Sequence, residues 1–122
     1  MADVPTGPET KTVFPHLDFN PGSPSLINPT REPGEAPVSS RVILAFTRPD
    51  YRILCRLAKT TGPPRYLWDC ALHEGSWEGR SITVAGPVLG APYAVMVLER
   101  LIALGAKVML ALGWCGSLTI TA

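Results

Sequence analysis

Three observations predict an α/β fold. Val42-Ile-Leu-Ala-Phe46 and Val108-Met-Leu-Ala-Leu112 are continuous apolar runs, as expected of strands covered on both faces. Between them, Ala94, Val97, Leu98, Leu101, Ile102 and Gly105 recur at helical spacing. A strand at 81–85, that helix and the strand at 108–112 occupy about 30 residues, the span of a right-handed βαβ unit.

Taken in order, residues 1–40 hold eight of the 13 prolines and show neither helical nor strand periodicity. Each proline removes a donor and biases its predecessor away from helix. This arm reads as either extended over a neighbouring surface or disordered. The patterned part, residues 41–122, opens with the strand from Val42. Thr47 then caps a helix, with Pro49 in its first turn and Asp50 at the capping-box position. Tyr51, Leu54, Leu57 and Ala58 keep helical spacing, and Gly62-Pro63-Pro64 is the expected stop. Tyr66–Leu72 and Ser81–Ala85 are strand candidates, joined by the turn-rich Gly75-Ser-Trp-Glu-Gly79. Pro92 suits the first turn of the next helix, over 92–104, and Gly105 the position just past its end. Val108–Leu112 follows as an expected central strand, then the glycine-bounded turn Gly113-Trp-Cys-Gly116. A parallel strand at that place needs a helix layer on each face, and no helix pattern follows in Ser117–Ala122. Residues 41–122 therefore read as the front part of a larger α/β domain.

Composition narrows the function classes. The 122 residues suit one domain. Eleven basic against 10 acidic residues give a net charge of +1, so the balance points to neither nucleic acid nor an anionic membrane as partner. Ser81–Leu98 is 18 residues without a charge, but Gly86, Pro87, Gly90 and Pro92 interrupt it, which argues against a membrane-spanning helix. The start lacks the basic and apolar regions of a signal peptide. Three cysteines at unrelated spacings do not form a secreted disulfide framework, and a reducing, cytoplasmic setting is expected.

Most site chemistry is thin. His16 and His73 are the two histidines, so a catalytic triad is barely constructible. Cys70 and His73 stand three apart, but one such pair makes no metal site. No phosphate-loop or dinucleotide fingerprint occurs, and no cofactor is implied. Cys115, between glycines, has no evident base and reads as a small buried thiol. What remains is a pair of loops at the ends of successive parallel strands, Ala85–Pro92 and Gly113–Ser117. Ligands of open α/β sheets bind outside the carboxyl ends of the strands, and glycine there lets the backbone approach an anion or a sugar. The same glycines also serve simply to make tight turns.

These residues carry a resemblance. Val88-Leu-Gly90-Ala-Pro92, Leu98-Glu99-Arg-Leu101, Leu104-Gly105-Ala-Lys107 and Gly113-Trp-Cys-Gly116 resemble, in order and spacing, the nucleoside phosphorylase and hydrolase superfamily. Gly90–Leu118 follows that pattern without a gap, 41–85 more loosely, and 1–40 not at all. The resemblance implies a three-layer α/β/α sandwich with a mixed central sheet, present here incompletely. It also implies cleavage of an N-glycosidic bond by phosphate or water, with an oxocarbenium-like sugar stabilised by its surroundings. Gly113, Trp114, Cys115 and Gly116 would border the phosphate or ribose, Gly86 and Pro87 would approach the nucleoside, and Arg48 would contact phosphate. No catalytic residue is assigned. Ala111 and Trp114 depart from the family, which carries Arg and Thr or Ser there, and this leans toward hydrolysis or loss of activity. The implied partners are a nucleoside and inorganic phosphate. A non-catalytic module in which Trp114 stacks on a base is the alternative. The nearly all-round apolar character of the 92–104 helix also points to a homo-oligomer formed through it.

Overall fold

The computed structural model describes residues 28–116 together with Gly22, Pro24 and Leu118. Apart from those three residues, the expectations for 1–27 and 117–122 lie outside the described residues. In chain order the elements are β1 (Arg41–Ala45), α1 (Arg48–Leu57), β2 (Arg65–Leu67), β3 (Cys70–Trp77), β4 (Arg80–Gly86), α2 (Ala91–Ala103) and β5 (Val108–Leu112). The strands form one mixed sheet in the order β2-β3-β4-β1-β5. β1 runs parallel to both β4 and β5, whereas β2, β3 and β4 form an antiparallel meander.

Strand alternation makes the three layers. Val42 and Leu44 of β1 face one way and join Leu72, Ala85, Val97, Leu101 and Leu104 in the core beneath α2. Ile43 faces the other way, with Ile82, Val84 and Ala58, and packs under Tyr51, Leu54 and Cys55 of α1. The helices thus cover opposite faces, and the fold is an α/β/α sandwich around a mixed sheet. α1 is capped as its sequence predicts: the Thr47 hydroxyl accepts from the Asp50 amide at 3.2 Å. Gly90 caps α2 with φ +81°, and Gly105 follows its end with φ +108°. Residues 28–40 carry no helix or strand, but Val38 is buried, and its amide donates to Leu104 at the end of α2.

Several expectations need correction. The strand expected at Tyr66–Leu72 is a hairpin: Leu67 pairs with Cys70 and Trp68 turns with φ +53°. β3 continues through Gly75-Ser-Trp77, and the turn narrows to Glu78-Gly79, both at positive φ as a tight two-residue hairpin demands. α1 stops at Leu57, well before Gly62, because Lys59 turns left-handed and the Ala58 carbonyl is taken by the Ser76 amide at 2.7 Å. Among the described residues β5 is an edge strand, not the expected central one, and β1 holds the inner place. Met109 packs against the α2-side core, while Val108 and Leu110 on the α1 side are 64% and 62% exposed. The uncharged stretch 81–98 is shared between β4, a loop and α2. No helix among the described residues is long and apolar enough to cross a membrane.

Gly75 of β3 lies directly against the chain leaving α1. A β-carbon there would lie 2.3 Å from the Ala58 carbonyl oxygen and 3.0 Å from the Thr60 methyl. Gly75→Ala is therefore expected to destabilise the fold by about 1–3 kcal/mol, the usual cost of overpacking, as measured by chemical denaturation. The bare side of β5 makes a second prediction. An exposed apolar edge strand templates pairing with another chain. Leu110→Lys should raise several-fold the protein concentration at which self-association begins, read by light scattering, and leave the melting temperature within a few degrees of the parent.

Candidate functional site

Because β1 and β4 are parallel neighbours, their carboxyl ends open on the same edge of the sheet. Phe46 and Thr47 leave β1 there, and Pro87–Gly90 leaves β4 for α2. The two loops are stitched together by the Val88 amide, which donates to the Ala45 carbonyl at 3.2 Å. Gly86 makes this approach possible: a β-carbon there would stand 2.7 Å from the same carbonyl oxygen, and its φ is +153°.

A cavity of about 770 Å³ lies outside this edge. Phe46 and Arg48 wall it from the β1 side, Pro87, Val88 and Leu89 from the β4 loop, and Tyr66, Asp69 and Tyr93 from the β2–β3 hairpin and α2. A smaller recess of about 200 Å³ shares Arg48, Tyr66, Asp69 and Pro87 and reaches Tyr51 and Arg52. The lining combines aromatic rings, a guanidinium and a carboxylate. No hydrogen bond or ion pair joins the Arg48 side chain to any described residue, so its fork of donors is free for an anion.

Tyr93 fixes the far wall. Its hydroxyl donates to the Leu67 carbonyl at 3.3 Å and accepts from the Asp69 amide at 3.1 Å, and its ring meets Trp68 edge-on at 6.3 Å. Burial, more than the nearby Cys70 thiol, moves that hydroxyl above the usual tyrosine range, so it stays protonated as the donor to Leu67. The Trp68-Asp69 turn, and with it the Asp69 carboxylate, is held to the start of α2.

The expected site residues are only partly brought together. Arg48 and Pro87 line the cavity, and Gly86 lies buried beneath it. Gly113 sits behind the Phe46 ring, where a β-carbon would be 3.4 Å from the ring edge. Trp114 is 81% exposed, and its indole N–H donates to the Asp50 carboxylate at 2.9 Å, tying the loop to α1. Gly116 is exposed, and Cys115 is exposed too, not the buried thiol that its glycine neighbours suggest. None of the four loop residues lines the cavity. Phe46, Tyr66, Asp69 and Tyr93 were not singled out from sequence. The signal for Asp69 and Tyr93 would have been the Trp68-Asp69 turn, unseen inside an apparent strand.

A second polar cluster lies on the α1 face. Cys70 and His73 point to opposite faces of β3, as a separation of three in a strand requires, so they do not act together. His73 instead faces α1. The Tyr51 hydroxyl is 2.9 Å and the Cys55 sulfur 3.6 Å from its Nδ1, while its Nε2 is 3.1 Å from the Gly62 carbonyl. The carbonyl can only accept, which assigns the proton to Nε2 and leaves Nδ1 to accept from Tyr51. Burial, with the Cys55 thiol second, pushes the Tyr51 hydroxyl well above its ordinary range and keeps it a donor. Among the described residues no group of three or more His, Cys, Asp or Glu is placed to hold a metal ion.

No family model matches the chain. No characterised protein matches it in sequence. Among solved structures, it is similar to a uridine phosphorylase from Vibrio fischeri at 22% identity, with a TM-score of 0.47, over 61% of this chain and 31% of that one. The chain thus spans about a third of that protein's length.

The Tyr93 hydroxyl makes a checkable contribution. Tyr93→Phe removes one donor and one acceptor and should cost about 1 kcal/mol of stability, with faster amide exchange confined to Trp68–Cys70. Exchange by mass spectrometry, with Trp68 fluorescence as a local probe, distinguishes this from general loosening.

Proposed function

We propose that the cleft at the carboxyl ends of β1 and β4 binds a nucleoside and that the chain is part of a phosphorylase- or hydrolase-like protein acting on its N-glycosidic bond. The observation that carries this reading is the joint placement of a free guanidinium, a carboxylate and aromatic rings around one cavity of about 770 Å³. Each fits a part of such a ligand. Phe46 and Tyr66 offer faces for a base, the Asp69 carboxylate accepts from sugar hydroxyls, and Arg48 pairs with phosphate where phosphate is the attacking group. The sequence resemblance at Gly90–Leu118 supports the same chemistry, in which positive charge builds on the sugar and the surroundings stabilise it. No catalytic residue is assigned to departure of the base.

A binding-only reading is favoured by Ala111, where the family carries arginine; Trp114, whose indole is engaged by Asp50 outside the cavity, is not the stacking face of such a module, and Phe46 and Tyr66 would take that part. Exposed Val95, Met96 and Ile102 on the outer side of α2 support self-association through that helix. The deciding experiment incubates the protein with purine and pyrimidine nucleosides, with and without phosphate, and follows free base by chromatography alongside calorimetric titration. Release of base is expected of the intact protein rather than of this chain alone, and Arg48→Gln there should lower the phosphate-dependent rate by about tenfold or more, the loss of one charge-assisted contact. Binding without release selects the binding module. The absence of both across the panel sinks the nucleoside reading.

A further inference from the structure

Between α1 and β3, beside the Tyr51–Cys55–His73 cluster, lies a second open cleft of about 580 Å³. Arg52, Arg56 and Lys59 line it, Thr60 and His73 contribute polar atoms, and no carboxylate is among its lining residues. Arg52 and Arg56 stand one helical turn apart on the same side of α1, and Lys59 follows the helix end, so the three cations project from about 10 Å of chain.

Two ordinary reasons for such cations do not apply. No ion pair or hydrogen bond joins the side chain of Arg52, Arg56 or Lys59 to any described residue. Nor do their side chains hydrogen-bond the carbonyls that end α1: those of Leu54, Cys55 and Arg56 accept from the backbone amides of Ala58, Thr60 and Lys59, and that of Ala58, just past the helix, from Ser76. The polar groups of the floor are satisfied among themselves, through Tyr51 to His73 and His73 to Gly62. What is left over is three unmatched positive charges around a concavity.

We propose that this cleft binds a compact, multiply charged phosphate ligand, held by Arg52, Arg56 and Lys59. The charge pattern around it sets the size. The recess adjoining Arg52 contains Asp69, and the one adjoining Lys59 contains Glu78. A long polyanion running along α1 would meet a carboxylate at either end, whereas a compact ligand stays between them. Phosphate suits the site better than a lone carboxylate, since two guanidinium forks and an ammonium together match several oxygens on adjacent centres. The proposal does not depend on the nucleoside reading, which rests on Arg48 and the cavity beyond it.

The test titrates the full chain with inorganic pyrophosphate, with orthophosphate, citrate and a single-stranded oligonucleotide in parallel arms, followed by amide NMR shifts and calorimetry. Pyrophosphate is expected to shift the amides of Arg52–Thr60 and His73, and to bind at least several-fold more tightly than orthophosphate or citrate. The double variant Arg56→Gln/Lys59→Gln alters two exposed side chains and should fold as the parent, checked by circular dichroism. It should weaken pyrophosphate about tenfold or more, the loss of charge-assisted contacts. Lys107→Gln, an exposed cation that does not line the cleft, should leave binding unchanged. The proposal is overturned by an absence of localised shifts, by equal weakening in Lys107→Gln, by tighter binding of citrate, or by an oligonucleotide that outcompetes pyrophosphate.

Discussion

The parallel pairing of β1 with β4 is the constraint on which the rest of this molecule turns. It places Val42 opposite Thr83 and Leu44 opposite Ala85, and so brings two strand ends to one edge of the sheet. The approach there is tight enough that position 86 admits no side chain without displacing the Ala45 carbonyl. From that edge one loop leads into α1 and another into α2, on opposite faces. The helices therefore diverge from a common starting line, and the space between their first turns and the β2–β3 hairpin becomes the cavity. The cleft follows from a parallel pair with a crossover on each side, the place where open α/β sheets bind their ligands.

α1 serves three surfaces at once, and its sequence carries all three. Tyr51, Leu54 and Cys55 pack against Ile43, Ile82 and Val84. Its first turn holds Arg48 toward the cavity, and Asp50 joins the Thr47 cap to the Trp114 indole. Its outer side carries Arg52 and Arg56. None of its residues is fully buried, because a single helix over a five-stranded sheet covers only part of that face. The unshielded remainder extends to β5, whose apolar residues alternate toward it. One edge of the sandwich is thus closed on the α2 side by Met109 and open on the other.

Much of this was legible in the sequence, and the failures have one cause. The Thr47 cap, the helix from Pro92 and its glycine ending, and the βαβ order all follow from local chemistry: a side-chain acceptor, a fixed φ, a period of 3.6. Strand order is not local. A run such as Val108–Leu112 is apolar throughout whether it lies at the centre or the edge, so its exposure depended on where β1 would insert. The Trp68-Asp69 turn was hidden for a related reason: Asp69 alone, beside Trp68 and without glycine or proline, is a weak turn signal inside an apolar run, and Tyr93, distant in sequence, holds the turn in place. Arg48 and Pro87 were found because they adjoin strand ends. Asp69 and Tyr93 were missed because they arrive at the same cavity from a hairpin and a helix whose packing no spacing rule specifies.

Net charge illustrates the same limit. A value of +1 suggests an electrostatically bland surface, yet ions interact over a screening length of about 10 Å, not over the molecule. Within that range the sum over the chain is the wrong quantity. Glu35 lies against Arg100 at 2.6 Å, Glu74 accepts from Ser39 and Thr83, and Asp50 from Thr47 and Trp114, so several carboxylates are committed to holding the fold. Arg48, Arg52, Arg56 and Lys59 have no such commitments and lie along one helix and its exit. The acidic residues that balance them on paper neutralise other places. Charge that nearly cancels over the chain and is separated in space leaves unpaired cations in two places, one at the start of α1 and one along its side.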